Sequence, residues 1–339
     1  MNTDRVTYKN TNPQTKAEKY IKDIQKKSYI KECFCENKDC NLEIIKSHSI
    51  QNNKILSKIS SEGNVLSFSN PTFMADSNRF SFLHDQLTGR KKATTFTGFC
   101  QYHDNEIFKP VELYDYEPNN IEQEFLFAYR ALAKEYHAKR RQHKSLIVAM
   151  EKEGLKKCPT PLREYERGIK VTIKQLEKDR RFFNQLLLNK KFENIKTRIV
   201  IFDNEYHLAV SSCFAPERDL HGKLINEFSH LTVDLNYIYL TIFPQNGKTF
   251  VLFSYLRKNQ RKLSAFIDQI DDDNLSMTEK QKIISNMLAI YCENIVLSPE
   301  RWSKVPDSQQ QIFYDVIDST INTNHIYNLQ KLQNINLFI

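Results

Sequence analysis

Three of the seven cysteines in this 339-residue chain, Cys33, Cys35 and Cys40, fall within eight residues of one another. A second group follows in "GFCQYHD", which places Cys100, His103 and Asp104 together. Zn²⁺ takes four soft or borderline ligands in a tetrahedron, commonly as two pairs from two chain segments. Cys35-x4-Cys40 reads as the first pair and Cys100-x2-His103 as the second. Cys33 competes with Cys35, and one of the two is expected to ligate. A helix start suits the second pair, because its exposed N–H groups stabilise a thiolate. An odd cysteine count with this spacing is not a disulfide framework. The competing reading is a set of reduced thiols packed as small hydrophobes, and two ligand pairs in one chain favour the metal. Cys158, Cys213 and Cys292 are isolated and read as packed thiols.

The elements that must position these groups follow from hydrophobic period and punctuation. Residues 14–29 read as a short basic helix, and "LEIIKSH" as a strand ending at His48. "NNKILSKISSEG" reads as a helix capped by Asn52 or Asn53 and stopped at Gly63. "NVLSFSN" reads as a strand and residues 70–92 as a loop or insertion. "ATTFTGF" reads as a strand, followed by a helix from "CQYHDNEIF" that Pro110 ends. Ile121, Phe125, Ala128, Leu132 and Tyr136 share one helical face, with Asn119 or Asn120 as cap. After "KCPTP", Leu162, Tyr165, Ile169, Ile173 and Leu176 share another, which makes an αα-hairpin. From residue 194 the period becomes 2, with Asn246-Gly247 turning a hairpin. Helices return over 258–294, and Pro299 and Pro306 bracket a loop holding Trp302. The expected class is α+β, in three parts: a zinc module over 1–115, a basic helical hairpin over 116–193, and an α+β domain with an antiparallel sheet over 194–339.

Knuckle, strand, second strand and ligand-bearing helix form the layout of a treble clef, and this stretch resembles the HNH endonuclease superfamily. "IIKSHSIQNNKIL", "TFTGFCQYHDNEIF" and "CENIVLSPERW" also resemble a group of uncharacterised bacterial proteins with such a zinc module. That likeness covers most of the chain and carries no established activity. The superfamily resemblance implies His48 as general base and Asp104 as ligand of a catalytic Mg²⁺ or Mn²⁺. It implies Cys100 and His103 as structural zinc ligands. Two departures stand out. Ser47 occupies the place before the base where an acid or histidine is usual. The middle Asn that orients the base has three candidates: Asn64, Asn70 and Asn78.

Charge points the same way. Residues 121–195 hold 18 Lys and Arg against 10 Asp and Glu, an excess equal to the whole chain's +8. Such a field attracts phosphate polymers. Lys139, Arg140, Arg141 and Lys144 of "KRRQHK" are the candidate nucleic-acid contacts, against the plainer reading of a solvated helix end. Arg90, Lys91 and Lys92 could grip phosphate or solubilise a loop. His84-Asp85 and the group Glu217, Asp219 and His221 are weaker catalytic candidates, more often surface features on polar turns. "DQIDDDN" lacks the Gly and Glu spacing of a Ca²⁺ loop. With seven glycines and no P-loop or Rossmann turn, a nucleotide cofactor is not expected. No apolar stretch reaches the length of a membrane span and the N-terminus lacks a signal core, so a cytoplasmic protein is expected.

The leading expectation is a metal-dependent nuclease, fitting a bacterial defence effector or toxin in antiviral defence. The alternative is a non-catalytic zinc-stabilised module that binds nucleic acid or protein, with the C-terminal domain as a possible protein-docking part. A third reading makes the C-terminal domain the active part.

Overall fold

Asn246 and Gly247 adopt φ of 53° and 79°, the left-handed pair that a two-residue hairpin turn requires. The turn joins two strands whose register begins at Lys248 opposite Gln245, and these strands lie within a seven-stranded antiparallel sheet. The computed structural model describes residues 13–36, 40, 43–68, 72–74, 79–81, 86–154, 160–228, 233–321 and 328–339.

Along the chain the elements are α1 (Pro13–Lys27), β1 (Ile44–His48), a π-helical turn (Asn52–Leu56) running into α2 (Ser57–Ile59), and β2 (Asn64–Phe68). Three short strands follow, β3 (Thr72–Met74), β4 (Arg79–Ser81) and β5 (Gln86–Gly89). Then come β6 (Thr95–Cys100), α3 (Gln101–Glu112), α4 (Ile121–Glu153) and α5 (Thr160–Leu188). The remainder is β7 (Ile195–Phe202), β8 (Leu208–Phe214), β9 (Ile238–Gln245), β10 (Lys248–Leu256), α6 (Gln260–Ile270), α7 (Met277–Tyr291), β11 (Ile295–Leu297), α8 (Pro299–Trp302) and α9 (Asp307–Ile321).

The large sheet runs β5-β2-β11-β8-β9-β10-β7. Alternation along each strand sends side chains to two separate cores. On one face Val65, Ala209, Tyr239, Phe243, Phe250, Leu252 and Val296 pack with α4, α5 and the Cys-rich segment. On the other Leu66, Val210, Leu240, Ile242, Val251 and Phe253 pack with α6, α7, α9 and the C-terminal residues. The protein is therefore a mixed helix–strand chain with antiparallel sheets and helices on both faces of the main one.

The sheet crosses the divisions expected at 115 and 193. β2 and β5 come from the N-terminal stretch, and β11 inserts between β2 and β8. β11 lies in "CENIVLSPERW", just past the helices expected over 258–294, and is not read as a strand from sequence; its three apolar residues are buried on both faces, which leaves no alternation to read. The 70–92 stretch also contains strand: β5 pairs with β2, and β3 with β4. α3 continues through Pro110 to Glu112, because Pro110 falls in the last turn, where one lost N–H bond costs little. Asn120 caps α4, accepting from the Gln123 N–H. The expected Asn52 or Asn53 cap is absent, and the segment opens as a π turn after Gln51.

α4 departs most from the amphipathic reading. Phe125 through Ala133 are buried without interruption. A helix apolar all round belongs inside. α4 lies between the large sheet on one side and the β6–α3 region on the other, with α5 alongside. The hairpin is present, and its first helix is the centre of the molecule.

Candidate metal centre and the adjoining polar group

β1 and β6 form a separate two-stranded antiparallel sheet, with Ile44 opposite Cys100 and His48 opposite Thr95. Ile45 faces Phe99 while Ser47 faces Phe96, so β6 carries one extra residue around Thr97 and Gly98. This bulge bends β6 and increases the local twist opposite Ser47 and His48. The extended segment before β1 adds to the arrangement: Glu32 N donates to Thr97 O and Phe34 N to Gly98 O. From α5, Arg180 donates to the Phe34 and Cys33 carbonyls, and Asn184 also donates to Phe34 O. Phe34 itself packs edge-on against Phe99, Tyr129 and Tyr136.

These contacts bring Cys33, Cys40, Cys100 and His103 together, with all four ligand atoms within 4.8 Å of one another. His103 Nδ1 lies 3.3 Å from both Cys33 Sγ and Cys100 Sγ. Tetrahedral zinc with ordinary bond lengths separates its ligands by about 3.3–3.8 Å. Cys100 is the N-cap of α3, its sulfur accepting from the His103 N–H at 3.5 Å. The Cys100 N–H in turn points at Cys33 Sγ, 3.4 Å away. Burial pushes the Cys33 thiol up, and the Cys100 N–H works in the other direction. Burial also raises the Cys40 thiol. Three crowded sulfurs and an imidazole nitrogen are poorly served by protons and well served by a divalent soft cation. The donor set therefore fits a metal ion, and structural zinc is compatible with it.

Cys35 is not part of this group. The chain bends at Phe34, which separates two residues that a straight strand would keep on one side. Cys35 is buried beside the Tyr129 hydroxyl instead. The cysteine gathered with Cys40 is Cys33, in a Cys33-x6-Cys40 spacing, the member of the Cys33/Cys35 alternative that the sequence places second.

Beside the cluster lies a second group of polar side chains. Asp104, in the first turn of α3, directly follows His103 and is half-buried. Burial raises its pKa above the usual carboxylate range, Arg130 and the nearby Ser47 hydroxyl oppose this, and Glu112 adds to it. Asp104 Oδ1 and Ser47 Oγ are near one another and both buried, and among the described residues neither has a partner at full hydrogen-bond geometry. His48, also half-buried, has Nδ1 3.5 Å from Thr94 Oγ1. Burial lowers its pKa, seconded by Arg130, against the Ala93 carbonyl and Glu112. Its imidazole is therefore neutral at neutral pH and able to accept a proton.

Two residues of this group went unread in the sequence. Asp104, Phe108 and Glu112 recur every four residues and share one face of α3. Arg130 of α4 lies across that face. Its guanidinium stacks 3.9 Å from the Phe108 ring centre, and its Nη2 meets Glu112 Oε1 at 2.7 Å. The signal was legible: an arginine inside "FLFAYRALA", an otherwise apolar run, is a buried charge.

The other candidates are not gathered here. Lys139 is held between Glu293 at 2.8 Å and Glu135 at 3.5 Å. Arg140 pairs with Glu32, and Lys144 donates to the Tyr29 carbonyl, while Arg141 is exposed. Much of the "KRRQHK" charge is thus used internally. Asp219 is buried and accepts from the His221 and Lys223 N–H groups and from Gln269, as a turn-former does. Asn64 Nδ2 donates to Glu62 O and does not orient His48. Asn70, Asn78, His84, Asp85 and Cys158 lie outside the described residues. No helix among the described residues is long and apolar enough to cross a membrane. Comparison with protein-family models, curated proteins and solved structures gives no match.

Proposed function

We propose that the chain is a zinc-stapled nuclease of HNH-like type, in which a treble-clef module holds a hydrolytic site for nucleic acid. The observation that carries this reading is the juxtaposition at the α3 start. Asp104, with a buried carboxylate oxygen that has no hydrogen-bond partner among the described residues, follows the Cys/His cluster directly and lies beside Ser47, the neighbour of His48. Cys33, Cys40, Cys100 and His103 would hold Zn²⁺ as a staple. Asp104 is a hard oxygen ligand suited to Mg²⁺ or Mn²⁺, which when bound stabilises charge on a leaving oxygen. His48, neutral and at a strand end, takes the proton of the attacking water. The Ala93 carbonyl and Thr94 stand where an orienting side chain would be needed.

A second reading, a zinc-stabilised module that binds nucleic acid or protein without cleaving it, is favoured by Ser47, a weak ligand in a place where an acid or histidine would serve better. The distinguishing experiment compares wild type with His48→Ala and Asp104→Ala. Bound zinc is quantified, and each protein is incubated with plasmid DNA and with RNA in Mg²⁺ or Mn²⁺. The expected outcome is a single zinc in all three and cleavage by wild type alone. Zinc in all three with no cleavage by wild type would leave the binding module. A role in defence, and docking of a partner on the C-terminal part, belong to this proposal and follow only if cleavage is seen.

A further inference from the structure

Arg130 is 3% exposed, yet among the described residues only one of its three nitrogens has a partner: Nη2 meets Glu112, while Nε and Nη1 are buried without any. A buried guanidinium with unused donors is costly unless something else completes it. Phe108 fixes the plane of the group from one side. The groups around it are Asp104, His48 and Glu112. Glu112 is the movable member. Its side chain is 40% exposed at the C-terminal end of α3, so water can rehydrate it when it leaves. Arg130, by contrast, is fixed in the fully buried stretch of α4.

We infer that Arg130 receives a phosphate group of the nucleic acid, and that the Glu112 carboxylate is a stand-in which that phosphate displaces. Guanidinium forks match phosphate oxygens as they match carboxylates, so the exchange preserves the geometry at Nη2 and gives the idle donors a partner. Phosphate held at Arg130 lies next to Asp104 and His48, where a phosphodiester has to sit for hydrolysis. The receptor belongs to α4, outside the Cys/His segment, so the group of Arg130, Asp104 and His48 is complete only when α3 and the β1–β6 pair pack on α4. The identity of the anion as a phosphodiester rests on the nuclease reading, whereas the binding test does not require cleavage.

The test is titration of the full chain with inorganic phosphate and with a short oligonucleotide carrying no terminal phosphate, followed by calorimetry in Mg²⁺ buffer. Removing the competing carboxylate in Glu112→Gln is expected to tighten both by about three- to fivefold, the worth of a partly exposed ion pair. Arg130→Gln, with zinc content confirming its fold, is expected to abolish both. Unchanged or weaker binding by Glu112→Gln overturns the proposal, and so does undiminished binding by Arg130→Gln. Glu112 is partly exposed, so its variant decides the matter even where Arg130→Gln fails to fold. Tightening for phosphate and not for the oligonucleotide overturns the phosphodiester assignment. Tightening for both without any cleavage by wild type sustains the receptor and removes the nuclease.

Discussion

At the scale of single residues, the choice between Cys33 and Cys35 is open to direct test. Cys33→Ser removes one of four clustered ligand atoms, and Cys35→Ser changes a thiol packed by Tyr129. The first is expected to lose bound zinc and the second to keep it, read by metal analysis of the purified variants. His137 of α4 gives a second test. Burial, seconded by Lys134, Arg141 and Arg140, lowers its pKa to about 4 against the Ile30 carbonyl. Below pH 6.5 the unfolded chain takes up a proton that the folded chain refuses until about pH 4. Stability therefore falls as pH drops through that window and this contribution levels off below it. The difference amounts to ~3 kcal/mol at most. Denaturant midpoints of wild type and His137→Gln across the window are expected to converge as pH falls, since the variant lacks this loss. Carboxylates common to both proteins cancel in the comparison.

At the scale of elements, the β6 bulge controls the site. A Cβ on Gly98 would sit 2.2 Å from Phe96 Cε2 and 2.6 Å from its Cδ2. Phe96 is buried against Phe99 and His137, so the ring has no free direction to retreat. Gly98→Ala is expected to cost about 1–3 kcal/mol, the usual range for overpacking. Because Phe34 N bonds Gly98 O, the shift also carries Cys33 with it. Weaker zinc retention under chelator, alongside a lower denaturant midpoint, would be the signature.

At the scale of the whole molecule, the candidate metal cluster and the main core are coupled. The cluster of buried side chains that includes Cys33, Cys35 and Cys100 runs without a break through α4 and α5 to Tyr239 and Phe243 of the large sheet. A module cut at residue 115 would lose α4, and β2 and β5 would lose β11. Stripping zinc with a chelator is expected to lower the thermal midpoint of the whole chain in one transition, seen alike by far-ultraviolet circular dichroism and by Trp302 fluorescence. A separate early transition silent at Trp302, which lies in the opposite core, would show that the Cys-rich part unfolds alone.

Much was legible in the sequence because it is written locally. Ligand residue types, the Cys100 helix start, the Asn120 cap, the Asn246-Gly247 turn and the period-2 strands each depend on neighbours a few positions away. The pairing of Cys40 with Cys33 depends on a bend at Phe34 that α5 and β6 impose, and local spacing does not record it. β11 was hidden because a strand covered on both faces has no alternation. The place of α4 at the centre, and of Arg130 over Asp104, Phe108 and Glu112, came from helix packing across residues far apart in the chain. The sequence by itself determined which groups could bind a metal and where most elements begin. Only the tertiary structure decided which of them meet, because burial and long-range contact, with no local signature, set the partners of each side chain.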